Sequence, residues 1–166
     1  MRRWPDLEAC AACGRTLEPG VRVCRACGVL LARPEAGRLV GAGGRLGAYL
    51  IECAIAAAVS FVVGLAVGLA GGEGSEIAGV LIAAAVYWAV SLCFWTRGQT
   101  LGKAILGMRV YKVTGEPAGF GTMLLREVVG KLISGLVIYL GFLWIIWDRE
   151  RQGWHDKIAG TVVLRK

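Results

Sequence analysis

The sequence predicts a mainly α-helical membrane protein: two long transmembrane helices, a third short spanning or re-entrant apolar segment, and a small four-cysteine module in front of them. Three observations predict it. Of 166 residues, 56% are hydrophobic and 25 are glycine, with a mean hydropathy of +0.60 that exceeds the level of ordinary soluble domains. Two apolar runs, about 46–72 and 77–96, match the roughly twenty residues that a helix needs to cross about 30 Å of hydrocarbon. Four of the six cysteines fall in two close pairs within the first thirty residues.

Residues 1–30 form the first unit. Cys10, Cys13, Cys24 and Cys27 have the spacing C-x2-C-x10-C-x2-C, with Gly14 and Gly28 directly after each pair. Two such knuckles place four thiolates tetrahedrally about one zinc ion, and each glycine allows the tight turn that aims backbone N–H groups at sulfur. Two disulfides are the competing reading, but the charge pattern below assigns this segment to the reducing cytosol. A zinc closed by four thiolates is structural, and the set adds a charge of about −2. The unit's apolar residues are few, mainly Trp4, Leu7, Leu17, Val21, Val23, Val29 and Leu30, so its folding is expected to depend on the ion. Residues 31–44, with Pro34, Gly37, Gly41, Gly43 and Gly44, read as a flexible or partly ordered linker.

Charge gives the orientation of the membrane domain, 45–166. Eight arginines face four acids in 1–45, two glutamates stand without a basic residue in 71–76, and six basic residues face two acids in 97–131. The positive-inside rule then puts the short acidic loop outside and the amino-terminal unit in the cytoplasm. No signal peptide is expected, because the arginine-rich first 45 residues hold no apolar core. The net charge of +7 is therefore read as topology and as attraction to anionic lipid, with nucleic-acid binding set aside.

Within the first run, Glu52 is the one charge between Leu46 and Gly72. A carboxylate at that depth is costly and points to function. Arg45, two helical turns earlier, lies on the same face with Tyr49 between them and is the expected partner. Ala56, Ser60, Gly64, Gly68 and Gly72 recur every four residues, a stripe that lets another helix approach closely, either the second run through Gly79 and Ala83 or a second copy. Cys53 and Cys93 are expected as small buried side chains.

Past the second run the chain is too polar for lipid. The segment Gly98–Lys103 lacks the G-x-x-x-x-G-K-[ST] spacing of a phosphate loop. Residues 108–113 alternate as a strand and end in a turn at 114–117, and 161–164 form a second β-branched run. The third apolar segment, 128–147, has only sixteen uncharged residues between Lys131 and Asp148, about 24 Å of helix. A simple crossing would put a tail of five basic residues outside, so the segment either spans against the charge rule or dips and returns, breaking near Gly135 or Gly141. His155 and Asp156 form a lone pair without a nucleophile; a salt bridge from Asp156 to Arg126 or Lys103, or a helix-capping role, is expected instead of enzyme activity.

Four stretches in order, RLGAYLIE from Arg45 to Glu52, GQTLGK from Gly98 to Lys103 continuing to GMRVY at 107–111, LRE at 125–127, and QGWHDKIAGTVV at 152–163, resemble the RDD family of membrane proteins over about residues 40–166. The resemblance identifies Arg45 with the family's arginine and Asp156 with its later aspartate, with Glu52 standing where the first aspartate is expected. It makes Gly98, Thr100, Gly102, Lys103, Arg126 and His155 family-motif positions. It implies a multi-pass protein for which transport is suggested, some members being sodium–proton antiporters. Two functions are thus in view. One is an oligomeric cation or solute transporter using Arg45, Glu52 and Asp156; the other is a membrane-anchored module whose zinc ribbon docks a cytoplasmic protein or nucleic acid. A structural Arg45–Glu52 pair that only fixes helix register is the plain alternative to transport.

Overall fold

A computed structural model describes residues 8–70, 75–136 and 140–166. Helix α1, Ala42–Ala70, has 29 residues, and α2, Ser75–Trp95, has 21, lengths of about 43 and 31 Å at 1.5 Å per residue. Both are long and apolar enough to cross a membrane. They pack on each other: a Cβ on Gly79 would lie 3.5 Å from Val67 and 3.7 Å from the Cα of Gly64, and Ala83 is buried. The small residues therefore serve a contact within the chain, at Gly64 and Gly79, while Gly72 lies outside the described residues. The other faces are bare, with Phe61 at 70% and Leu69 at 81% exposure, a surface suited to lipid and not to water. Cys53 and Cys93 are exposed on these faces instead of buried, because one seam between two helices covers few side chains.

Three short strands form one antiparallel sheet in the order β1-β3-β2. They are β1, Arg38–Leu39, β2, Met108–Lys112, and β3, Thr161–Arg165. The two β-branched runs pair with Val110 opposite Val163 and Tyr111 opposite Val162. Alternation sends successive side chains to opposite faces, and both faces are covered. Met108, Val110 and Val163 pack with Val40, Ala48, Trp95 and Met123 on the helical side. Leu39, Tyr111, Val162 and Leu164 pack with Val23 and Leu30 of the four-cysteine unit.

That second face changes the expected picture of 31–44. The stretch contains a 3₁₀ turn, Pro34–Ala36, and strand β1, and the Leu39 N–H donates to the Gly28 carbonyl at 2.7 Å. The segment fastens the amino-terminal unit to the sheet, because its backbone groups find partners on both sides. Trp4 and Leu7, expected in the unit's core, lie outside the described residues.

Helix α3, Leu101–Ile105, lies against α1 so closely that a methyl on Gly102 would overlap the Ala48 carbonyl. The chain enters the third apolar segment, 128–147, from α4, Phe120–Leu124, through a π-helical turn, Leu125–Gly130, and continues as α5, Lys131–Leu136. After residues 137–139, outside the described set, it resumes as α6, Leu140–Leu143, and a 3₁₀ turn, Trp144–Ile146. The two arms are inclined by 114°. Since β2 and β3 are hydrogen-bonded neighbours, the chain between them starts and ends on one side of any layer that α1 and α2 cross. A single third crossing does not satisfy that condition, whereas the bend does. Helix α7, Trp154–Ala159, then leads through Gly160, in the left-handed conformation at φ 58°, into β3.

Candidate functional site

Beneath the sheet, where α1, α3, the π-helical turn, α5 and α7 converge, charged side chains form one connected cluster. Asp156 is fully buried at the start of α7. One carboxylate oxygen accepts from Arg45 Nη1 and from the Gly153 N–H at 3.2 Å, closing the helix's first turn; the other accepts from Arg126 Nε at 2.8 Å. Arg45 donates further to the carbonyls of Val40, at 3.3 Å, and Arg151, at 2.7 Å. Burial alone would raise the pKa of Asp156, but Arg45 and Arg126 hold it far below the usual carboxylate range.

Arg126 also donates to Glu127 at 2.8 Å. Glu127 in turn pairs with Lys103 at 3.5 Å and with Lys131. Lys103 Nζ donates to Thr100 Oγ1 at 3.1 Å, and that hydroxyl donates to Glu52. The chain of contacts from Asp156 to Glu52 is thus unbroken. Burial pushes the Lys103 ammonium down to about 8, with Glu127 opposing and Arg126 and Lys131 adding to the shift.

Arg45 and Glu52 share a helix face as expected, but they are not partners. Seven residues separate them by about 10 Å along the axis, and each finds a nearer partner from another element. Asp156 pairs with Arg126, one of its two expected partners, while Lys103, the other, pairs with Glu127. Gly98 makes the turn after α2 at φ 67°, close under the Ala118 carbonyl. Thr100 and Lys103 belong to the cluster, and Gly102 permits the approach of α3 to α1. His155 lies buried against Phe142, its Nε2 3.6 Å from Asp156. Its Nδ1 is a buried atom without a hydrogen-bond partner. From the sequence, Glu127 is named only within the LRE stretch and Lys131 only as an end of the uncharged run, neither with a site role; their i,i+4 spacing was a signal available to find them.

The second site is the four-cysteine centre. All four Sγ atoms lie within 4.8 Å of one another, with Cys10 and Cys27 3.7 Å apart and Cys13 and Cys24 3.6 Å apart. Gly14 at φ 70° and Gly28 at φ 73° turn the two knuckles. Burial pushes the Cys24 and Cys27 thiols up, yet the N–H groups of Cys27 and Ala26 bring Cys24 down to about 6, while burial and the crowded sulfurs leave Cys27 up at about 12. Four thiols this close ionise together only around a cation, so the set can hold one metal ion.

A family model described as RDD family matches residues 39–160. The chain belongs to the RDD family. The matched span runs from β1 to the end of α7; it contains every charged member of the cluster and none of the four cysteines. A "Proline-rich antigen homolog" of Mycobacterium tuberculosis (strain ATCC 25618 / H37Rv) is 37% identical over 70 residues, 42% of this chain and 29% of that protein. A Haemophilus influenzae protein without an assigned role is 35% identical over 114 residues, 64% of this chain and 72% of its own. The Bacillus subtilis (strain 168) membrane protein YteJ, likewise uncharacterized, is 32% identical over 87 residues, 52% of this chain and 51% of its own. The chain thus spans less than a third of the mycobacterial relative's length. No solved structure matches. With its two apolar helices, this RDD-family chain is a membrane protein.

Burial lowers His155 to about 4, with Asp156 pulling the other way. An unfolded histidine binds its proton at about 6.5. The stability that follows from keeping His155 neutral is complete above that value and falls away as pH drops toward 4. The melting temperature of purified protein should fall between pH 7 and 4.5, and the same scan of His155→Gln should lose that part of the slope whatever its starting stability.

Proposed function

We propose that the protein is a multi-pass protein of the cytoplasmic membrane whose amino-terminal module lies in the cytoplasm, holds one structural zinc ion, and forms with the sheet an anchored docking platform for a protein partner. The shared core carries this reading: Val23 and Leu30 pack on Leu39, Tyr111, Val162 and Leu164, so the module is part of one platform and not a loose tether. The sulfur separations of 3.6 and 3.7 Å fit the ~3.8 Å edge of a tetrahedron with Zn–S bonds of about 2.3 Å. Bound zinc supplies the divalent charge that lets the thiolates coexist. Cys10 and Cys13 on one knuckle and Cys24 and Cys27 on the other fill all four positions, leaving none for a substrate. The arginine excess of 1–45 supports the cytoplasmic side, and exposed Arg15, Arg22 and Arg165 favour a partner with an acidic surface.

Elemental analysis of purified protein should give one zinc per chain. Cys24→Ser should lose the metal, open residues 8–30 to protease, and release the partner recovered from cross-linked membranes, with insertion unchanged. A metal-free wild-type protein whose module resists protease would contradict the assignment.

One observation favours a second reading, cation–proton exchange in an oligomer. Among the described residues, Glu52 is the cluster's carboxylate without an ion pair; it is half-buried and held only by Thr100. Asp156 is locked by its ion pairs with Arg45 and Arg126, so exchange would run through Glu52. Two crossings enclose no path, and a second copy packed along the exposed Ser60 and Gly68 would complete one. Sodium- and pH-dependent proton flux in proteoliposomes should then vanish in Glu52→Gln at matched incorporation. Equal flux in both proteins, or none in either, removes this reading.

A further inference from the structure

Between the four-cysteine module and the membrane domain lies a cavity of about 430 Å³. Its wall brings together Arg25 of the second knuckle, Gly41 at the amino end of α1, Ile145, and the loop residues Asp148, Arg149 and Arg151. Three guanidinium groups thus face one carboxylate, and that carboxylate is already engaged. Asp148 pairs with Lys157 and accepts the backbone N–H groups of Glu150, at 3.1 Å, and Gln152, at 2.9 Å. Among the described residues no acid lies within ion-pair distance of Arg149. Arg25 meets Glu18 at 3.3 Å in an exposed pair of the kind that holds weakly.

Two further features sharpen the site. The cavity borders the amino end of the 29-residue helix α1, whose first N–H groups have no partner within the helix and carry the positive end of its dipole. Arg151 adopts a φ of 51°, a left-handed conformation uncommon for a side-chain-bearing residue. Its guanidinium donates to the Leu39 carbonyl at 3.2 Å and sits close to Gly41, where a Cβ would lie 3.6 Å from it. A smaller adjoining cleft shares these arginines and touches Cys24 and Cys27, so there part of the positive charge offsets the thiolates. No cysteine lines the larger cavity, where, among the described residues, Arg149 has no acid partner, Arg25 has an exposed one and Arg151 donates to a backbone carbonyl.

The position selects the ligand. Ile145 supplies an apolar wall, the neighbouring Trp144 and Trp147 are exposed in the manner of an interfacial belt, and α1 enters its apolar stretch immediately beyond. We infer that this cavity binds the phosphate of an anionic phospholipid, with Arg25, Arg149 and Arg151 on the headgroup and the acyl chains against Ile145 and the tryptophan face. The module and the membrane domain each contribute to the grip, so the lipid cements the contact between them. The inference does not depend on which partner the platform docks or on any flux through Glu52.

The test uses full-length, delipidated protein in detergent, with bound lipids counted by native mass spectrometry. The probes are phosphatidylglycerol, phosphatidylcholine and free glycerol phosphate. One phosphatidylglycerol per chain should be retained in preference to phosphatidylcholine. Its affinity should fall by at least about tenfold in the double variant Arg25→Gln, Arg149→Gln and stay unchanged in Arg97→Gln, an exposed arginine outside the cavity. Melting curves confirm that the variants are folded, and Arg149→Gln alone serves if the double variant is not. Equal retention of the two lipids, or wild-type binding by the folded variants, overturns the proposal. Displacement of the lipid by glycerol phosphate at matching concentration also overturns it and assigns the cavity to a soluble phosphate.

Discussion

Everything in the membrane domain is tied to one buried carboxylate. Asp156 is fully enclosed, and its two oxygens accept from Arg45 on α1, from Arg126 on the π-helical turn and from the backbone that starts its own helix. A carboxylate removed from water without such partners would be several kcal/mol unfavourable, so the site exists only when all three elements are in place. The arginines are under the same constraint: Asp156 is the one acid paired with Arg45 among the described residues, and Arg126 is buried between Asp156 and Glu127. The geometry next to it follows: α7 is capped, Gly160 turns the chain into β3, and β3 supplies the centre of the sheet.

Strand β3 then carries the constraint outward. Its one face completes the core over α1, and its other face receives the four-cysteine module, so the charge cluster and the sulfur centre are separated by one layer of sheet. The links between them are specific. The knuckle carbonyl of Gly28 takes the Leu39 N–H, the Leu39 carbonyl takes Arg151, and the Arg151 carbonyl takes Arg45. The bend in the third apolar segment has the same origin. A chain that leaves from β2 and must return to pair as β3 has to come back to the side from which it set out.

The sequence carried the parts of this fold that are local. Two apolar runs of twenty residues or more, broken by the single charge of Glu52, can only be long helices, and paired C-x2-C knuckles followed by glycine specify where four sulfurs will meet. The β-branched runs at 108–113 and 161–164 announced the strands that pair. Partner choice was not legible, because it is decided by packing between elements. Arg45 and Asp156 are 111 positions apart, and along α1 the nearer acid, Glu52, looked the better mate. Strand β1 has two residues, too few to show any alternation, so the stretch around it read as a linker. Glu127 and Lys131 were obscured by the apolar segment at whose start they stand, although the deep burial of the Glu127 side chain is what collects Lys103, Arg126 and Lys131.

The most direct test of this account is the thermal stability of Asp156→Asn, beside the exposed control Glu116→Gln, in the same detergent at neutral pH. The substitution keeps the shape of the side chain, leaves the buried Arg45 guanidinium without a counter-charge and leaves Arg126 with Glu127 alone. Removing one partner of such a buried set costs about 3–5 kcal/mol, so the melting point should fall by roughly 10 °C while the control melts with the wild type. An Asp156→Asn protein that melts where the wild type does would show that the fold does not hang on this carboxylate.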